Sequence, residues 1–210
     1  MSISRFNRRL HLLSEWLLCL LERLVELGRT GSAFIIDSMP LPVCRRCRAE
    51  RCRKVQGAGY CGYCAAKQEK YYGYRLHLVC TPDGRPVAFE IWPACFDDRV
   101  PVPTLLASLP AGSRVAADKG YVSAALRETV LNDTGVTLVA AHRANMTPNL
   151  PDKAAFIRQQ RRRIETLNSQ LAALGLQRLH ARTVDGFLIK VHATLLVLSQ
   201  TVDQFGKEPD

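Results

Sequence analysis

The chain has 210 residues, 47% hydrophobic and 23% charged. That is enough for one domain with a sizeable apolar core, and it excludes a low-complexity or disordered chain. Lys and Arg number 29 against 19 Asp and Glu, a formal net charge of +10, which disfavours cationic partners and fits a phosphate-rich one.

Taken in chain order, residues 5–28 predict a helix closed by Gly28. Its leucine-rich part follows Arg5, Arg8 and Arg9 but is interrupted by Glu15, Glu22, Arg23 and Glu26. A bilayer-crossing helix needs about 18 or more uninterrupted apolar residues, so this one is read as amphipathic and packed on the domain. With no export signal or membrane span read here, a bacterial cytoplasm is the expected compartment, with the eight cysteines as thiols or metal ligands.

Ala33-Phe-Ile-Ile-Asp37 predicts a buried central strand with a Pro-punctuated exit at Pro40 and Pro42. Residues 43–72 carry most of the cysteines and a knot of Arg45, Arg46, Arg48, Arg51, Arg53 and Lys54. They show no period, so they are read as an insertion. Two strands, residues 74–81 and 87–93, are joined by an Asp83-Gly84 turn that predicts an antiparallel hairpin. A short helix at 102–109, a strand at 114–118, a helix at 123–132 and a strand at 137–141 follow. A helix at about 153–174 and an apolar one at roughly 186–202 complete the order β-β-β-α-β-α-β-α. The pattern predicts an α/β fold: a mixed five-stranded sheet with helices on both faces and a Cys/Arg-rich insertion after the first strand.

Asp37 and Asp118 each stand directly after an apolar strand. An ionised carboxylate there needs a cation, a cap or water. Functional groups in such sheets collect beyond the carboxyl ends of strands. Glu165 belongs to a helix whose apolar stripe is Ile164, Leu167, Leu171 and Leu174. It shares a second face with Asn168, Ser169 and Ala172, and follows the cluster Arg158, Arg161, Arg162, Arg163. On this reading it is either a site carboxylate or an exposed partner of Arg161.

Cys44-x₂-Cys47 and Cys61-x₂-Cys64, with Cys52 between them, read as a structural Zn²⁺ site or as packed thiols. Cys19, Cys80 and Cys95 sit in apolar contexts and are expected in the core, and His77 and His142 are expected to be ordinary strand residues. Tyr60, Tyr63, Tyr71, Tyr72 and Tyr74, interleaved with basic residues, suit either base stacking or packing against the sheet.

Five strings together resemble the signature blocks of DDE transposases: Phe-Ile-Ile-Asp-Ser-Met-Pro-Leu-Pro-Val-Cys, Gly-Tyr-Cys-Ala-Ala-Lys, Tyr-Tyr-Gly-Tyr-Arg-Leu-His, Ala-Asp-Lys-Gly-Tyr and Arg-Ile-Glu-Thr-Leu-Asn-Ser-Gln-Leu. They are most similar to the IS982 insertion-sequence family. The resemblance implies an RNase H-like catalytic domain over 31–202, with the insertion at 43–72, an N-terminal helix at 1–30 and a tail at 203–210. It identifies Asp37, Asp118 and Glu165 as carboxylates for two Mg²⁺ ions, with Mn²⁺ as a substitute. It implies metal-dependent cleavage and strand transfer of insertion-sequence ends. The partners it implies are terminal inverted repeats and target DNA, with Lys119, Arg158, Arg161 and Arg162 as DNA contacts. It further implies a homo-oligomer when active, associated with the nucleoid. Among the family's cysteines it matches Cys44, Cys52 and Cys64. A non-catalytic zinc-ribbon DNA-binding module and an inactive, N-terminally short remnant are the competing readings.

Overall fold

The computed structural model describes residues 2–142 and 151–205. Residues 206–210 of the expected tail lie outside them. The leucine-rich start forms two helices, α1 (Ile3–Leu12) and α2 (Ser14–Leu27), instead of the single one expected. Leu13 ends the first and opens the second, and the Ser14 hydroxyl donates to the His11 carbonyl at 2.8 Å across the junction. Leu21 and Val25 of α2 are buried, while Trp16 and Leu20 face outward. No helix of the described residues is long and apolar enough to cross a membrane.

Among the described residues the sheet holds the five expected strands and a sixth. In chain order they are β1 (Ala33–Arg45), β2 (Cys61–Cys64), β3 (Glu69–Cys80), β4 (Pro86–Pro93), β5 (Arg114–Ala117) and β6 (Thr137–Ala140). The sixth is β2, four residues inside the insertion and too short to show a period. The spatial order is β2-β3-β1-β5-β6, with β4 also on β3. β2 and β4 share one edge of β3, at Glu69–Tyr72 and Tyr74–Cys80 respectively. β1 pairs β3 antiparallel and β5 parallel, so the sheet is mixed. The expected hairpin forms between β3 and β4, where Gly84 takes φ +99° and its N–H donates to the Thr81 carbonyl at 2.9 Å.

Four further α-helices follow among the described residues: α3 (Val102–Leu106), α4 (Ala124–Thr134), α5 (Pro151–Ala173) and α6 (Val184–Phe205). Side chains alternate across the strands, and the two faces build separate cores. On one face Met39, Leu41, Leu76 and Leu78 meet α2, α5 and α6 through Leu21, Leu171 and Leu195. On the other, Phe34, Ile36, Val79 and Val115 meet α3 and α4 through Leu106 and Val130. Helices therefore cover both faces, and the mixed α/β architecture agrees with an RNase H-like domain.

The insertion is tied down rather than loose. Lys54 Nζ donates to the Val43 carbonyl at 3.4 Å and to the Ala181 carbonyl at 2.9 Å, which removes it from the basic surface expected of it. Arg45, Arg46, Arg48, Arg51 and Arg53 remain exposed.

Candidate functional site

β5 pairs β1 only from Ala33 to Ile36, ending at the Ile36–Ala117 pair. Asp37 and Asp118 are the next residues on the two parallel strands, so the backbone register sets their carboxylates side by side. β1 runs on to Arg45 with no strand beside it on that edge among the described residues. A cleft of about 450 Å³ opens in this notch, lined by Asp37 and Asp118 together with Asp98, Arg75, Tyr63 and Asn168.

Asp37 is half-buried, and its Oδ2 accepts a hydrogen bond from Asn168 Nδ2 at 2.6 Å. Its carboxyl is pushed up from 3.8 to about 6. Burial is the chief cause; the donors Asn168 and the Ser38 N–H pull it back, and the negative charges of Asp118 and Asp98 push it further up. Asp118 is exposed and opens a 3₁₀ turn, Lys119–Tyr121, whose Tyr121 N–H donates to the Asp118 carbonyl at 3.1 Å.

Asp98 is the cleft carboxylate that the sequence did not single out. It follows β4 in the run Asp97-Asp98-Arg99, where Asp97 bonds Arg99 locally at 2.6 Å. Asp98 instead turns inward and pairs with Arg75 Nη1 at 2.5 Å. Arg75 also donates from Nη2 to the Tyr63 carbonyl at 3.2 Å, so one guanidinium joins β3, the turn after β4 and the insertion strand β2.

Glu165 stands apart from this group. Its side chain is 70% exposed on α5 and lies 3.5 Å from Arg161 Nε, an exposed helical pair. Helix phase explains the arrangement. Leu167 and Leu171 point into the core, which turns Asn168, one residue on, towards Asp37 and leaves Glu165 on the outer side. Lys119, Arg158, Arg161 and Arg162 are all exposed.

The Cys44 and Cys52 side chains are hydrogen-bonded to each other, but the two Cys-x₂-Cys pairs are not gathered as a four-cysteine zinc site would require. Cys61 and Cys64 are three apart in a strand and therefore leave it on opposite faces, whereas a chelating Cys-x₂-Cys needs a turn. Cys47 is exposed in the 3₁₀ turn Arg46–Arg51, while Cys44 sits in β1. Among the described residues no group of three or more His, Cys, Asp or Glu side chains is placed to hold a metal ion. Cys80 is buried as expected, but Cys19 and Cys95 are exposed. His77 is a buried β3 residue, and His142 lies just beyond β6.

The three cleft carboxylates, Asp37, Asp98 and Asp118, offer hard oxygen donors, the type that Mg²⁺-class cations take, and such cations need only one or two protein carboxylates besides phosphate and water. Asp37 and Asp118 meet that requirement; Glu165, as it stands, does not join them. A family model described as "Transposase DDE domain" matches residues 27–184, a stretch that contains every cleft residue named above. No curated protein and no solved structure gives a significant match.

Proposed function

Because the chain belongs to the transposase DDE-domain family, we propose that it cleaves the ends of an insertion sequence of the IS982 type and joins them to target DNA, with Asp37, Asp118 and Glu165 as the working carboxylates. The observation that carries this reading is the parallel register that sets Asp37 and Asp118 together at the mouth of one cleft. Two such carboxylates repel one another, and a dication relieves that repulsion.

Asp37 and Asp118 would hold Mg²⁺, or Mn²⁺ in its place. The bound cation supplies charge neutralisation at the phosphate and activation of the attacking oxygen. Asn168 fixes the orientation of Asp37 by its hydrogen bond. Glu165 would have to turn from Arg161 towards Asn168; the exposed pair it would leave contributes at most about 1 kcal/mol, so the turn is energetically cheap. Lys119, Arg158, Arg161 and Arg162 supply phosphate contacts around the cleft. Water then displaces the 3′-oxygen of the element end, and the freed 3′-hydroxyl displaces an oxygen in the target strand. Two ends must be joined in concert, which favours a homo-oligomer as the acting form.

The test is cleavage and strand transfer on the element's own terminal repeats. Asp37→Asn, Asp118→Asn and Glu165→Gln should each lower cleavage by about 100-fold or more, while salt-sensitive DNA binding and thermal stability persist. Cleavage retained by Glu165→Gln would leave a two-carboxylate mechanism. A wild-type chain that binds these ends without cutting them would be a remnant.

A further inference from the structure

The insertion supplies one wall of the carboxylate cleft, through Tyr63 of β2 and Lys67. Of the five clustered tyrosines, four are spent on packing. Tyr60 meets Tyr72 and Tyr74 edge to face at 6.0 and 5.2 Å, and Tyr74 stacks on Phe187 at 5.8 Å. Tyr71 and Tyr72 are 4% and 3% exposed. Tyr63 differs: it is 51% exposed, and its ring has no aromatic contact among the described residues.

Its backbone, in contrast, is held from several sides. The Tyr63 carbonyl accepts from Arg75, which is itself held by Asp98 at 2.5 Å. Beside it, Gly62 packs so closely that an added Cβ would lie 2.6 Å from the Tyr71 ring and 2.7 Å from Ala94. Beyond it, Lys67 Nζ donates to the Gln177 side chain, which lines the cleft from the far side. A free aromatic ring on a fixed backbone, beside a carboxylate cleft in a cationic protein, is a platform for a nucleobase, because any base offers a π-face and the ring loses little freedom on stacking.

We propose that Tyr63 stacks on an unpaired base of the DNA strand whose phosphate lies at Asp37 and Asp118. This rests on the DNA-cutting function proposed above. It assigns the insertion a role in substrate handling: opening or steadying the end of the duplex at the point of attack.

The experiment uses the full chain with Ca²⁺ in place of Mg²⁺, a larger hard-oxygen cation that neutralises the carboxylates while cutting is suppressed, and two short duplexes with the element's end sequence. One is blunt; the other carries an unpaired 3′ tail with 2-aminopurine at its first unpaired position. Wild type, Tyr63→Phe and Tyr63→Trp should alter the 2-aminopurine fluorescence on binding. Tyr63→Ala should not, and should bind the tailed duplex about ten-fold more weakly while binding the blunt one like wild type by anisotropy. An unchanged melting temperature for Tyr63→Ala excludes misfolding as the cause. Equal fluorescence change and equal affinity for wild type and Tyr63→Ala would overturn the stacking role and leave the cleavage reading intact. Failure of wild type to bind either duplex would overturn both.

Discussion

Asn168 of α5 donates to Asp37 of β1 at 2.6 Å, joining residues 131 positions apart in the chain. This is the contact through which α5 reaches the strand-end carboxylates, and it places an amide where a third carboxylate would crowd Asp37.

Asn168→Asp should therefore set two negative charges against each other. We expect destabilisation by about 1–2 kcal/mol without divalent cations, and partial recovery of the melting temperature on adding Mg²⁺, because an ion bound only by the folded form stabilises it. Thermal unfolding with and without Mg²⁺ checks this; an unchanged melting temperature would mean that the Asn168–Asp37 contact does not form.

Two groups should tilt stability with pH in opposite directions. Burial pushes His77 down from 6.5 to about 4, and neither ring nitrogen has a hydrogen-bond partner among the described residues. Its contribution is present above the unfolded value of 6.5 and is lost as pH falls towards 4. Asp37 is raised to about 6, so its contribution is present below 3.8 and is lost as pH rises through 6. Each amounts to about 3 kcal/mol. In denaturant titrations from pH 4 to 7, Asp37→Asn should lose stability on acidification more steeply than wild type, and His77→Leu should gain relative to it. Parallel curves for all three proteins would refute both assignments.

Thiol reactivity should follow exposure rather than Cys-x₂-Cys spacing. Cys19, Cys47 and Cys95 are exposed and should label within minutes in native buffer, while Cys80, fully buried, should label only after unfolding. Chelator should leave the melting temperature unchanged, because Cys61 and Cys64 leave β2 on opposite faces. Protection of Cys47 reversed by chelator would show a metal site after all.

Gly73 faces the bulge in β1 between Pro42 and Cys44. A Cβ there would come within 2.4 Å of the Leu41 carbonyl oxygen and 2.6 Å of the Val43 nitrogen, both backbone atoms that cannot swing aside. Gly73→Ala should cost about 2–4 kcal/mol, measurable by chemical denaturation. Gly57→Ala, where a Cβ would meet nothing within 4 Å, should cost less, its φ of +102° being the sole strain.

Five strands were legible because each is an apolar run bounded by turn residues, and the Asp83-Gly84 hairpin was legible from its turn chemistry. The far half of β1 was not, since Pro40 and Pro42 read as its exit. Beyond Ile36 one edge of β1 has no strand partner among the described residues, so residues without an N–H are tolerated there. The break between α1 and α2 carries neither Gly nor Pro and left no mark in the residue pattern. Asp37 and Asp118 announced themselves by their place at strand ends. Asp98 did not, because only a partner 23 residues away, Arg75, reveals which way it turns. The small and polar face of α5 was recognised, yet which of its members meets Asp37 depends on helix phase, and the burial of Leu167 and Leu171 settled that in favour of Asn168.

The register between β1 and β5 has a mechanical consequence. The backbones of Asp37 and Asp118 continue from the last pair of the hydrogen-bonded lattice, Ile36–Ala117, so their register changes only if one strand slips past the other by whole residues. A slip of one would turn Phe34 and Ile36, both fully buried, out of their core. The register is thus a gauge with discrete settings, all but one of them forbidden. Surface arginines and the residues of the insertion can be exchanged to suit different DNA without recalibrating it.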